Sequence, residues 1–375
     1  MKSKYSIIIF AFVALGVLAS CGDNYNAMPK ISNVPTKTIG NESEALLTFF
    51  EQSGNYINQK TTPNTISPDE VYANLNRWLV VDLRPKEDYV AGHIDGAVNV
   101  EPNEVLNYFS KKTDAGNYEK IVFVCHSGQK AGYVAGALRL LGYGNVYSMK
   151  WGMSSWDKAS ATDKWQKNSS SAYVSKLEMT ANPRGAKGAY PKIATGKTKV
   201  IDILQARAEA VLANSDFLRK FDEVIADPSK YYIVNYWSMD DYNKGHLPGA
   251  TVYPPKASLT RETFLSTLPT DKPILVYCYT GQHAAYVVAY LRILGYDAYS
   301  LAYGANAFMN SKLEHSHAFS VEQIRNYPLV QGELPSLAPV AGETTAPENN
   351  APAQTPVVAP GGGNKPKKKT EGGGC

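Results

Sequence analysis

Four cysteines stand in the 375-residue chain, and two of them occupy near-copies of one loop. The first loop reads Cys125-His126-Ser127-Gly128-Gln129-Lys130 and the second Cys278-Tyr279-Thr280-Gly281-Gln282-His283. Upstream of each lies a Gly-His turn, Gly92-His93-Ile94-Asp95-Gly96-Ala97 in one copy and Gly245-His246-Leu247-Pro248-Gly249-Ala250 in the other. Tyr89 and Tyr242, His93 and His246, Cys125 and Cys278, and the Leu-Gly-Tyr turns at Gly142 and Gly295 all keep a spacing of 153 residues. A cysteine copied inside a copied loop points to thiol chemistry in a duplicated domain. The reactive species in such chemistry is the thiolate, so the surroundings of the sulfur decide what it can do.

Those surroundings follow from the flanking elements. Each cysteine ends a short apolar run, Ile121-Val122-Phe123-Val124 or Ile274-Leu275-Val276-Tyr277, and further runs occur at Leu79–Leu83 and Tyr232–Tyr236. Runs of this kind read as strands buried on both faces, as in a parallel sheet. Helical patterns alternate with them, notably Ala131–Leu141 closed by Gly142, which predicts an α/β fold. Both sulfurs then sit at the carboxyl end of a sheet, where such folds bind ligands. Loop N–H groups and the helix N-terminus form an anion cradle there. The same field is expected to favour thiolate, and to hold a persulfide or the sulfonate end of thiosulfate.

Several motifs carry a family resemblance. Val81-Asp82-Leu83-Arg84, Glu87-Asp88-Tyr89, the Gly-His turn, Cys125, Lys130-Ala131, Leu141-Gly142-Tyr143, Trp151-Gly152 and Trp156 together resemble a rhodanese domain. Asp241-Tyr242, the second Gly-His turn, Cys278, Gly295-Tyr296 and Gly304 match in the second copy. The resemblance implies two rhodanese-like domains, each with a central, mainly parallel sheet flanked by helices. It also implies catalytic cysteines at 125 and 278 that take sulfane sulfur as a persulfide and pass it to a thiophilic acceptor. The loop residues His126, Ser127, Gly128, Gln129 and Lys130, and Tyr279, Thr280, Gly281, Gln282 and His283, become the expected substrate-binding residues. Four residues separate the cysteine from the basic position in each loop; related phosphatase loops have five, so sulfur is the expected cargo.

This chain departs from the family pattern at the basic position. Rhodaneses usually carry arginine where Lys130 and His283 stand. Lysine keeps the charge without the bidentate fork, and histidine is mostly neutral at pH 7. The first loop is thus expected to suit an anionic donor and the second a less charged one. Asn235 and Trp237 replace Asp82 and Arg84, and the paired loss predicts a structural ion pair in the first domain. His93 and His246 are expected to shape their turns by hydrogen bonding. His126, beside Cys125, is a candidate for lowering the thiol pKa, with a solvent-facing ring as the alternative.

The remainder of the chain sets location. Lys2 and Lys4 precede an apolar core at Ile7–Ala19, the pattern of an export signal. Leu18-Ala19-Ser20-Cys21 resembles the lipobox of bacterial lipoproteins, which implies acylation of Cys21 and a cell-envelope protein facing the periplasm or exterior. The expected organisation is a signal peptide at 1–20, a spacer and short helix at 21–61, rhodanese-like domains at 62–160 and 198–328 joined by a linker at 161–197, and a disordered tail at 329–375. Asn41 and Glu44 predict the cap of the short helix, and 201–212 and 215–225 read as helical.

A net charge of +4 argues against nucleic-acid binding. Scattered histidines and unpaired cysteines suggest neither a metal nor another cofactor, and the absence of Cys-x-x-Cys argues against a dithiol oxidoreductase. The expected partners are a small sulfur-containing donor, a thiol or protein acceptor, and the membrane through the lipid. Cys375 ends a Pro-, Ala- and Gly-rich tail whose reach is about 35–40 Å. It is a candidate swinging-arm thiol, against a tail thiol with no partner. The competing function is a non-catalytic rhodanese-like binding or scaffold module, favoured by the weak basic residues and disfavoured by two intact cysteines.

Overall fold

A computed structural model describes residues 40–332; Cys21, the expected signal peptide at 1–20 and Cys375 lie outside the described residues. Two five-stranded sheets form, and every pairing within them is parallel. The first comprises β1 (Thr65–Ile66), β2 (Leu79–Asp82), β3 (Val98–Asn99), β4 (Ile121–Val124) and β5 (Val146–Met149), in the order β1-β5-β4-β2-β3. The second comprises β6 (Leu218–Arg219), β7 (Tyr232–Asn235), β8 (Thr251–Val252), β9 (Ile274–Tyr277) and β10 (Ala298–Leu301), in the order β6-β10-β9-β7-β8. The apolar runs of β2, β4 and β9 are buried at every residue, as strands covered on both faces must be. The expected α/β architecture is therefore observed twice.

Two local readings change. The 215–225 segment is not one helix: Leu218–Arg219 forms edge strand β6, paired with Ser300–Leu301, and a short helix follows at Phe221–Ala226. A two-residue strand is too short to show a period, so neighbouring helical residues masked it. The copies also slip by one residue after Gly295, because β10 starts 152 residues after β5 rather than 153.

The domains are joined face to face by the helices that follow the cysteines. Helix Gln129–Leu140 lies against helix Gln282–Ile293. Gly132 and Gly136 permit that contact. A Cβ on Gly132 would lie 2.8 Å from the Gln282 carbonyl oxygen, and one on Gly136 would lie 3.1 Å from the Tyr286 Cα. Both helices begin at the shared interface, which brings the two cysteine loops to the same end of the molecule.

The connecting segments cross between domains. After domain one, residues 170–182 run along domain two, where Glu178 bridges His246. After domain two, residues 325–330 return to domain one, where Val330 bridges His93. Leu177 and Leu329 cover Gly245 and Gly92, and a Cβ on either glycine would lie 3.1 Å from the leucine Cδ1. The described chain runs past the 328 boundary against domain one: Val330 pairs with His93, and Gly332 N–H donates to the Val90 carbonyl at 2.9 Å. The helix Glu42–Gln52 is capped by Asn41, as its sequence predicts. It is more than a spacer element: Leu46 and Phe50 are buried, and Ser43 Oγ donates to the Leu294 carbonyl at 2.7 Å. No helix among the described residues is long and apolar enough to cross a membrane.

Candidate active site: two cysteine loops

Cys125 follows β4 directly, and Gly128 at φ 82° turns the chain into the helix that starts at Gln129. That left-handed conformation favours glycine. The Cys125 sulfur accepts from the N–H groups of Gly128 at 3.2 Å and Ala131 at 3.4 Å. Cys278 occupies the same place after β9, with Gly281 at φ 74°, and its sulfur accepts from Ala284 N–H at 3.4 Å. Gly152 and Gly304 support the loops from below, since a Cβ on either would overlap the carbonyl oxygen of Cys125 or Cys278. The amide cradle expected from the strand–loop–helix pattern is present in both copies.

Its electrostatics correct one expectation. Each cysteine is 3% exposed, and burial pushes both thiols up from their ordinary value. The loop N–H groups oppose this in each domain, and in the first domain the Lys130 charge does too. Desolvation of the charged form outweighs the helix-end field, so the resting sulfurs favour thiol.

The basic positions differ as their residue types suggest. Lys130 is half-buried, and its ammonium makes no hydrogen bond or ion pair among the described residues. His283 stands edge-on to Tyr236, with ring centroids 4.9 Å apart, and its Nε2 is buried with no hydrogen-bond partner among the described residues. Burial, helped by the Lys256 charge, lowers its pKa to about 3, so the ring is neutral.

The other loop residues divide by role. His126 Nε2 lies 2.9 Å from Asp88 Oδ2. Burial, with the Lys164 and Arg84 charges, holds its imidazole below the ordinary value despite Asp88, so it supplies no cation to Cys125. Ser127 presents its N–H toward the sulfur, while its carbonyl accepts from Trp165 Nε1 at 3.1 Å. The Tyr279 hydroxyl donates to Asp241 at 2.5 Å, and Thr280 Oγ1 accepts from Gln282 N–H at 3.3 Å.

Gln129 and Gln282 leave their own loops. Gln129 Oε1 accepts from Tyr303 N–H at 2.8 Å and its Nε2 donates to the Leu301 carbonyl at 3.2 Å. Gln282 Oε1 accepts from Trp151 N–H at 2.9 Å and its Nε2 donates to the Met149 carbonyl at 3.1 Å. Both amides brace the opposite domain, although loop position alone marks them as ligand contacts.

The residues assigned to structure behave as such. Arg84 Nη2 lies 2.6 Å from Asp82 Oδ2 and also donates to the Gly92 carbonyl at 2.7 Å, with both side chains buried. In domain two Asn235 Nδ2 donates to the Tyr277 hydroxyl, which accepts from Leu247 N–H as well. A neutral network therefore replaces the ion pair and still reaches the Gly-His turn. His93 and His246 each place Nδ1 2.8 Å from a tyrosine carbonyl, of Tyr89 and Tyr242, and stack on that tyrosine's ring.

An aromatic cluster over the first loop is the main feature that local spacing misses. Trp165, from the segment after domain one, meets Trp151 at 4.6 Å, Tyr303 at 4.9 Å and Phe319 at 5.3 Å. Tyr303 belongs to domain two, yet burial and the nearby Cys125 raise its hydroxyl pKa to about 12. The first cysteine site is thus lined by both domains. The lone tryptophan of the polar segment is its one sequence signal.

The family model described as Rhodanese-like domain matches residues 67–159 and 220–311. Among relatives, the chain is 37% identical over 82 residues to the thiosulfate sulfurtransferase GlpE of Shewanella oneidensis, covering 22% of this chain and 78% of that protein. It is 32% identical over 92 residues to GlpE of Pseudomonas entomophila, covering 24% and 82%. The uncharacterized protein YibN of Escherichia coli is 34% identical over 83 residues, 21% of this chain and 54% of YibN, so the chain spans about half of that relative. With two parallel sheets, two cysteine loops and two matching segments, the chain belongs to the rhodanese family as a tandem of two rhodanese-like domains.

Proposed function

We propose that the protein is a sulfurtransferase that carries sulfane sulfur on Cys125. The observation that carries this reading is a buried thiol in an amide cradle beside Lys130, a half-buried cation with no hydrogen bond or ion pair among the described residues. A thiosulfate-type donor would place its sulfonate oxygens against Lys130 and the loop N–H groups. The Cys125 thiol gives its proton to solvent, and the thiolate attacks the outer sulfur of the donor. The donor S–S bond breaks, sulfite leaves with the electron pair, and a persulfide remains on Cys125. A thiol or protein acceptor then removes the outer sulfur and restores the thiolate. The GlpE relatives, named thiosulfate sulfurtransferases, support this chemistry.

Cyanolysis tests it. Thiosulfate-loaded wild type and Cys278→Ser should release thiocyanate, and Cys125→Ser should lose most of it. A non-catalytic binding module is the second reading, favoured by the burial of both sulfurs and their raised thiol pKa values. It predicts no cyanide-releasable sulfur with any donor.

The lipobox-like end of the signal segment supports an envelope location with Cys21 acylated. Acyl-chain labelling that is lost in Cys21→Ser would support the anchor, and equal labelling of both would refute it. The described chain ends on domain one, where the Val90 carbonyl accepts from Gly332 N–H at 2.9 Å. A tail of that reach supports Cys375 as an acceptor of sulfur from the loops.

A further inference from the structure

The two cysteine loops share a backbone but differ in what surrounds them. Beside Cys125 stands the half-buried Lys130, whose ammonium makes no hydrogen bond or ion pair among the described residues, and Lys164 acts on neighbouring His126. At Cys278 the corresponding groups are neutral or aromatic. His283 replaces Lys130, uncharged and edge-on to Tyr236. Tyr279 replaces His126, and its ring lies flat on His317 at 4.0 Å and tilted on Trp237 at 5.0 Å. Burial holds His317 below its ordinary value as well. Lys256, whose charge His283 feels, is exposed and donates to the Lys60 carbonyl. The charge bonded to Tyr279 is negative: Asp241 is held at about 2, because hydrogen bonds from Lys244, Tyr279 and Ser238 outweigh its burial.

A dianion approaching Cys278 meets aromatic rings and the Asp241 carboxylate, whose charge Lys244 offsets at 2.7 Å. A soft, uncharged sulfur chain meets surfaces it favours, since divalent sulfur gains from aromatic contact. We propose that Cys278 is a second loading site selective for uncharged sulfane donors of the organic trisulfide class, while anionic thiosulfate loads Cys125. The proposal rests on the sulfurtransferase reading above.

The chemistry at Cys278 closes without an added oxidant. The Cys278 thiol releases its proton, and the thiolate attacks the central sulfur of RSSSR. One S–S bond breaks and RS⁻ leaves. RS⁻ then attacks the remaining outer sulfur, releasing RSSR and leaving the Cys278 persulfide, which takes up the proton. One thiol and one trisulfide thus become one persulfide and one disulfide.

Peptide mass mapping of the full chain, loaded separately with thiosulfate and with dimethyl trisulfide, tests the assignment. Thiosulfate should add sulfur at Cys125 in at least about tenfold excess over Cys278, the scale of a charge-assisted contact. The trisulfide should load Cys278 preferentially. Lys130→Met should lose thiosulfate loading at Cys125 by about tenfold or more and keep trisulfide loading at Cys278. His283→Lys should bring thiosulfate to Cys278, and wild type with two donors decides the matter even where that variant does not fold. Equal thiosulfate loading of both cysteines, or trisulfide loading confined to Cys125, overturns the selectivity while leaving sulfur transfer intact. Sulfur on neither cysteine from either donor overturns both readings.

Discussion

Gln129 and Gln282 are the same residue of two copied loops, and each completes a turn in the other domain. Gln129 Oε1 takes the Tyr303 N–H at 2.8 Å, and Gln282 Oε1 takes the Trp151 N–H at 2.9 Å. Tyr303 and Trp151 both hold positive φ, at 62° and 65°, a costly conformation for bulky residues that surrounding contacts must maintain. Each cysteine loop is therefore fixed by its partner domain. Gln129→Ala and Gln282→Ala should each lower the unfolding free energy by about 1–3 kcal/mol, the cost of a buried donor left unpaired. Urea unfolding followed by tryptophan fluorescence measures it.

The Asp82–Arg84 pair gives a contrast within one chain, because domain two does without it. Arg84→Met strands a carboxylate with no exposed surface and should cost about 3–5 kcal/mol. The double variant Asp82→Asn with Arg84→Met removes both charges and should cost less than Arg84→Met alone. Denaturant midpoints of the two variants and wild type check the ordering.

His283 makes the fold acid-sensitive. Its folded pKa of about 3 lies below the value of about 6.5 expected when unfolded. The unfolded chain therefore binds the proton first as pH falls. The stability this site contributes is complete above about pH 6.5 and is lost progressively toward pH 3. His283→Asn should flatten that decline between pH 7 and pH 4, read as the change in urea midpoint.

Thiol reactivity should follow the same burial. Because desolvation raises both cysteine pKa values, iodoacetamide should label Cys125 and Cys278 more slowly than a free cysteine at pH 7. Labelling should accelerate as pH rises past the ordinary thiol range. Lys130→Met should slow labelling of Cys125 further and leave Cys278 unchanged, as counted by peptide mass.

What could be read ahead of the structure was whatever depends on near neighbours. The runs ending at Val124 and Tyr277 place each cysteine at the carboxyl end of a sheet, and the shared loss of Asp82 and Arg84 marks an ion pair two residues apart. Gln129 and Gln282 looked like ligand contacts because loop position says where a backbone goes, not which domain a side chain meets. Trp165 and Phe319 meet over Cys125 only because connecting segments cross between domains, and no period records that. The thiol pKa departs from the sequence expectation for a related reason. The helix-end field is visible in the strand–loop–helix order, whereas desolvation depends on everything packed above the sulfur.

In the proposed function Cys125 is the nucleophile that takes sulfur from an anionic donor. Sulfite released per chain in a single turnover with thiosulfate tests that role. Close to one sulfite per chain is expected for wild type and Cys278→Ser, and almost none for Cys125→Ser. Undiminished sulfite release from Cys125→Ser would contradict it.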